Sequence, residues 1–144
     1  MTNTYVMRFG GVLILSSGLS TPPQNTIKRT LDCYNPNLGA FTFLQYETDP
    51  PYQPTLQAQG VSFVYAGYTS LQFSIKFVRF SDGYLKTGTG AFTVDSVNNI
   101  VYYSWGNADT NMTGTWRIFL AVQMVSGGVR RYEDTIAIAA APTP

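Results

Sequence analysis

Apolar and polar residues alternate one by one over long stretches of this chain. In "LQFSIKF", Leu71, Phe73, Ile75 and Phe77 alternate with Gln72, Ser74 and Lys76. This period of two belongs to a strand with one face in a core. "TWRIFLAV" repeats the pattern with Trp116, Ile118, Leu120 and Val122, and "VYYSW" repeats it with Val101, Tyr103 and Trp105. Both tryptophans stand in register with apolar neighbours. They are therefore read as core rather than as a sugar-stacking pair, together with Leu71, Phe73, Ile75, Phe77, Tyr103, Ile118, Leu120 and Val122. Further strands are expected near 55–58, 61–65, 90–97 and 129–139, with the runs above placed at 71–80, 100–105 and 115–125. Asp82-Gly83, Val97-Asn98-Asn99 and Ser126-Gly127-Gly128 mark hairpin turns between them. Regular strand spacing with no sustained helical period predicts an all-β antiparallel sandwich over residues 46–139.

The first 45 residues are patterned differently. "YVMRF" and "GVLIL" read as short strands, and "SSGLSTPPQN" as a linker. "TIKRTLDCY" fits a short helix or a strand equally. "NPNLG" is a turn, and "AFTFLQY" is a strand expected to join the sheet that follows. "TDPPYQPT" is a second proline-rich break, since proline cannot donate into a ladder. Residues 1–45 are thus set apart as an N-terminal extended arm or accessory strands, and 140–144 as a C-terminal tail. A segment of that size rarely holds its own core without disulfide or metal. Its apolar residues Tyr5, Val6, Phe9, Val12 and Ile14 are the expected contacts with neighbouring chains. "FGGVLILSSGLS" after Arg8 has the outline of a short signal peptide, but its apolar run is brief and glycine-interrupted, so it is read as a strand.

Composition changes the picture mainly through charge. Apolar residues make up 44% and charged residues only 12%, about half the usual share of roughly 25%. The net charge of +1 gives no field to attract nucleic acid. A surface poor in Lys and Glu suits a chain covered by neighbours. The basic doublets Lys28-Arg29 and Arg130-Arg131 are read as solvated positions or as salt bridges to neighbouring subunits. No run reaches the roughly 20 apolar residues that span a bilayer, so no membrane partner is expected.

Candidate chemistry is sparse. The chain has one cysteine, Cys33, and no histidine, which removes the commonest general base and metal ligand. No two of its eight carboxylates are marked by spacing as a glycosidase pair. Asp82, Asp95 and Asp109 could meet at loops, but without the ligand spacing of a calcium loop. No enzyme activity, metal or cofactor is expected. Asp109, Thr110, Thr113 and Gly114 are read as turn-making residues.

Four stretches resemble the immunoglobulin-like domain of bacteriophage baseplate upper proteins and related tail modules, over residues 47–141. They are "ETDPPYQPTLQ", "GVSFVYAGYTSLQFSIKF", "NNIVYYSWGNADTNMTGTWRIFLAV" and "GGVRRYEDTIAIA". The third carries Val-x-Tyr-x-Trp, a polar stretch, then Gly-Thr-aromatic. The resemblance implies an immunoglobulin-like sandwich and a structural virion protein of a phage tail, baseplate or capsid surface. It transfers no catalytic residue. Expected partners are copies of itself and other phage structural proteins, with the arm adding a strand to a sheet edge. The alternative is a carbohydrate-binding host-recognition module, in which Tyr65, Tyr68 and Tyr84 would stack on a surface glycan.

Overall fold

A computed structural model describes residues 6–9, 12–15, 23 and 25–142. Among these, the chain forms twelve strands and one 3-10 turn, in the order β1 (Val6–Phe9), β2 (Val12–Leu15), β3 (Ile27–Asp32), β4 (Ala40–Leu44), β5 (Tyr52–Ala58), β6 (Val61–Ser62), β7 (Phe73–Arg79), β8 (Leu85–Thr87), β9 (Ala91–Asp95), β10 (Ile100–Ser104), β11 (Gly114–Gln123) and β12 (Val129–Ala139). The all-β expectation is met. "TIKRTLDCY", which the pattern left between helix and strand, contains β3.

The strands form three sheets. One has the order β3-β5-β10-β9, with β6 attached to β5; the second has the order β4-β12-β11-β7-β8; among the described residues β1 and β2 pair only with each other. The two larger sheets are mixed, which corrects the expectation of purely antiparallel strands. β3 runs parallel to β5, and β4 runs parallel to β12. The cause is the path of the chain: after β3 it crosses to the second sheet to make β4, then returns to make β5. Parallel neighbours require such a crossover, because a tight hairpin cannot join them. The expected break at residue 45 therefore falls after two strands that already belong to the larger sheets, including "AFTFLQY" as β4.

The two larger sheets share one core. Phe73, Ile75, Phe77, Tyr103, Trp105, Trp116, Ile118, Leu120 and Val122 are all buried, as their alternation requires. Trp105 sits where the sheets meet. Its ring centroid lies 5.6 Å from Tyr52 and Tyr103 of the first sheet, and 5.2 and 6.2 Å from Phe43 and Phe77 of the second. Its indole N–H donates to the Pro50 carbonyl at 3.0 Å, so the polar end of the ring is satisfied. Trp116 lies deeper along β11, with the Lys86 ammonium 4.5 Å above its ring and the Arg79 guanidinium at 5.3 Å.

Leu71 corrects the core reading: it is 91% exposed. The strand begins only at Phe73, because Ser70–Gln72 forms a 3-10 turn capped by Thr69. The Thr69 hydroxyl accepts from the Leu71 N–H, and the Thr69 N–H donates to the Gln72 side chain at 2.7 Å. These local bonds compete with the ladder and aim Leu71 outward. β8 was not anticipated. It is three residues long, exposed at Leu85 and Thr87, and paired only to β7, so it carries no alternating pattern to read.

Candidate functional site

Two buried carboxylates are the first places to look for chemistry. Asp134 projects inward from β12 and is fully buried. Arg29, on the edge strand β3 of the other sheet, meets it at 2.8 Å and also donates to the Gly39 carbonyl. The Tyr52 hydroxyl donates to Asp134 at 2.7 Å, and the Thr135 N–H does so at 2.8 Å. Phe41 stacks on Tyr52 at 5.6 Å and lies under the Arg29 guanidinium at 5.1 Å. The hydrogen bond to Asp134 holds the Arg29 pKa above its ordinary value. Burial pushes Tyr52 well above the phenol range, and the neighbouring carboxylate adds to this. The cluster ties β3 and β5 to β12. It is a latch between sheets, with both carboxylate oxygens already occupied.

Asp109 is the second. Its two oxygens accept from the Thr89 N–H at 2.8 Å, the Thr89 hydroxyl at 3.0 Å, the Tyr103 hydroxyl at 2.6 Å and the Gly106 N–H at 2.8 Å. The Tyr103 oxygen in turn accepts from the Gly90 N–H at 2.8 Å. Burial, and then the hydrogen bond to Asp109, raise the Tyr103 pKa. Backbone crowds in from all sides. A Cβ on Gly90 would lie 1.9 Å from the Ser104 carbonyl oxygen, and one on Gly106 would lie 2.1 Å from the Thr89 hydroxyl. The arrangement closes one end of the core and has no space for a reacting molecule. Asp109 thus does more than turn the chain, as its loop position suggested; it organises four donors.

The other weighed residues are dispersed. Asp82 pairs with Arg79 at 2.6 Å, and that partner holds its pKa down at about 2. Asp95 accepts from Asn98 at 2.7 Å. Among the described residues, no group of acids, cysteines or histidines could hold a metal. Cys33 is a half-buried free thiol. The tyrosine trio does not make a platform. Tyr65 is buried against Phe63 and Phe73, correcting its reading as an exposed stacking residue, because it alternates inward with Phe63. Tyr68 packs on Phe73 at the start of β7, whereas Tyr84 lies beside Arg79 at the end of that strand.

What the fold presents outward includes apolar surface. Tyr5 lies outside the described residues, and so do the side chains of Val6, Phe9, Val12 and Ile14. The backbone of the arm is a hairpin that pairs Val6 with Leu15, Met7 with Ile14, Arg8 with Leu13 and Phe9 with Val12. On the outer face of the second sheet, Phe80 and Leu85 are each 56% exposed, and Arg117 lies 5.2 Å over the Phe80 ring.

No family model matches the chain, and no curated protein matches its sequence.

Proposed function

We propose that this chain is a structural subunit of a bacteriophage particle, in the tail, baseplate or capsid surface, built on an immunoglobulin-like β-sandwich. It acts by packing against copies of itself and other structural proteins of the particle, without catalysis or a cofactor. The observation that carries the reading is the N-terminal hairpin. Of its eight strand residues only Arg8 is polar, yet among the described residues β1 and β2 pair with neither larger sheet. A two-stranded hairpin is at best marginally stable alone in water and needs a surface to cover it. Three further features support the same reading: low charge, exposed Phe80 and Leu85 on a sheet face, and buried carboxylates fully engaged in holding the fold. A glycan-binding role would need an aromatic platform other than Tyr65, Tyr68 and Tyr84.

The test is the mass of the purified chain by light scattering, with and without residues 1–20. The deletion must stop before Ile27, because β3 belongs to a larger sheet. The full chain should associate with rising concentration, and the truncated chain should remain folded and monomeric. Two strictly monomeric species, with unchanged incorporation of the truncated form into particles, would remove the assembly reading.

A further inference from the structure

The assembly reading leaves open which surfaces of the body meet, and the charged residues point to a pair. In a chain with so few charges, unpaired ones stand out. Among the described residues, Arg29, Arg79 and Arg117 each have a carboxylate partner, whereas Glu47, Asp49, Arg130 and Arg131 make no ion pair. Nor do the separate Lys28 on β3, Lys76 on β7, Lys86 on β8 and Asp95 on β9, nor Asp32, whose oxygens accept from backbone N–H groups. The acidic and basic doublets cannot meet within one copy. β4 runs parallel to β12, with Leu44 opposite Ala139, and the Glu47 N–H bonds to the Leu44 carbonyl. Arg131 lies at the other end of β12, about 26 Å away at roughly 3.3 Å per residue. The acidic doublet therefore occupies one pole of the body and the basic doublet the opposite pole.

The shapes at the two poles are complementary as well. At the acidic pole, Tyr46 is 66% exposed and held at φ 69°. That left-handed conformation is rare for a bulky residue and needs surrounding support. Thr110 supplies it: its carbonyl accepts from the Tyr46 N–H at 3.0 Å, and its hydroxyl donates to the Glu47 carbonyl at 2.7 Å. Gln45 adds a bond to the Asn111 carbonyl at 2.9 Å. The result is a pre-ordered aromatic knob flanked by Glu47 and Asp49. At the basic pole lies an open groove of about 450 Å³, whose lining includes Cys33, Tyr34, Met124, Gly128, Arg130 and Arg131. Its hairpin wall is fixed by the Met124 N–H to the Gly128 carbonyl, and by the Val125 N–H to the Tyr68 hydroxyl. The nearby carboxylate of Asp32 is committed to the N–H groups of Tyr34 and Gly60 at 3.0 Å each. The groove therefore has a mixed lining, with Tyr34, Met124 and Val129 beside the polar hairpin of Ser126–Gly128 and two arginines, Arg130 lying 6.0 Å over the Phe63 ring; it suits an aromatic ring with adjacent carboxylates.

We infer that copies of this chain stack head to tail, the Tyr46–Glu47–Asp49 knob of one copy entering the Arg130–Arg131 groove of the next. The contact is heterologous: different patches meet, so the assembly grows into a ring if its rotation closes and a filament if it does not. Tyr46 is the anchor, because a rigid aromatic in a pocket carries most of the energy of such a contact. The carboxylate–arginine pairs fix its orientation and steer encounter.

This inference rests on the assembly reading, and sedimentation of the full chain separates the two. Arg130→Glu with Arg131→Glu, and separately Glu47→Arg with Asp49→Arg, should each weaken self-association by about tenfold or more, since like charges then face each other. An equimolar mixture of the two reversed variants should restore it, because every knob then finds a groove of opposite sign. Tyr46→Gly should weaken association while leaving the melting temperature unchanged or raised, because glycine adopts φ 69° without strain. High salt should weaken the wild-type contact. Reversed variants that associate as wild type does, or folded variants whose mixture stays monomeric, would overturn the stacking contact. If deletion of residues 1–20 abolishes association while charge reversal leaves it intact, only the stacking contact falls. A wild-type chain that is monomeric throughout sinks both readings.

Discussion

Replacing Asp134 with Ala should lower the unfolding free energy by about 4–5 kcal/mol. The magnitude follows from what the carboxylate holds. Removing one member of a buried ion pair costs about 3–5 kcal/mol, because the partner charge is left uncompensated. Arg29 retains 19% side-chain exposure, so water can partly resolvate it and the lower half of that range applies. Tyr52 is fully buried and would lose its only side-chain acceptor, which adds about 1 kcal/mol or more. Asp134→Asn keeps an acceptor for Tyr52 but loses the charge opposite Arg29, and should cost less, about 1.5–3 kcal/mol. Urea unfolding at neutral pH measures both, provided the slope against denaturant stays that of the wild type. The latch geometry predicts location as well as size. Amides of β3 should exchange with deuterium much faster in the variant, while those of β11 change only with global stability. An Asp134→Ala loss below 1 kcal/mol with unchanged slope, and β3 protection intact, would show that the cluster does not hold the sheets together.

Other consequences can be checked on the same protein. Trp116→Ala should cost about 3–5 kcal/mol, since the ring is fully buried; an unchanged melting temperature would contradict its packing. Gly90→Ala places a Cβ 1.9 Å from the Ser104 carbonyl oxygen and should abolish folding, read as loss of near-UV dichroism; Gly60→Ala meets no atom within 4 Å and should fold despite its φ of 81°. Tyr52 and Tyr103 have raised pKa values in the fold, so the unfolded chain loses their protons first, near pH 10. Their contribution to stability is complete below that value and is lost as pH rises above it. The melting temperature should therefore fall steeply above about pH 10, and less steeply in Tyr103→Phe; a flat profile to pH 12 would refute the burial of these phenols.

The parts of the fold that could be read from sequence are those in which one physical rule acts alone. β7, β11 and the strand before Trp105 carry a two-residue period because one side of each faces the core and the other faces out. The hairpins at Gly83, Asn99 and Gly127 could be read because positive φ demands those residue types. Leu71 escaped because two rules compete there: the strand period continues through it, but Thr69 and Gln72 close a capping box that the period does not register. The parallel placement of β3 and β4 was not readable, because strand direction depends on where the chain crosses between sheets, and Arg29 and Asp134 are 105 residues apart. The buried role of Asp109 was hidden for the same reason. Its donors come from Thr89, Tyr103 and Gly106, and a loop aspartate followed by threonine reads as a turn until those strands are brought together.

The two carboxylate clusters also bear on why so weakly charged a chain places two of its eight acids in the interior. Apolar side chains of similar size could fill both sites at equal or better stability. What they could not supply is position. β3 and β4 are edge strands added parallel, the pairing with the weaker ladder, and nothing in a period of two fixes where along β5 or β12 they should sit. Arg29 reaches Asp134 only when Ile27 lies opposite Tyr52 on β5, while its bond to the Gly39 carbonyl sets the start of β4 opposite Thr135. A slip of β3 by two residues would keep its apolar face inward yet move Arg29 about 7 Å from the carboxylate. The buried pair therefore selects register at the cost of desolvation. It fixes the edge of the body, and through β4 the Tyr46–Glu47 loop that follows.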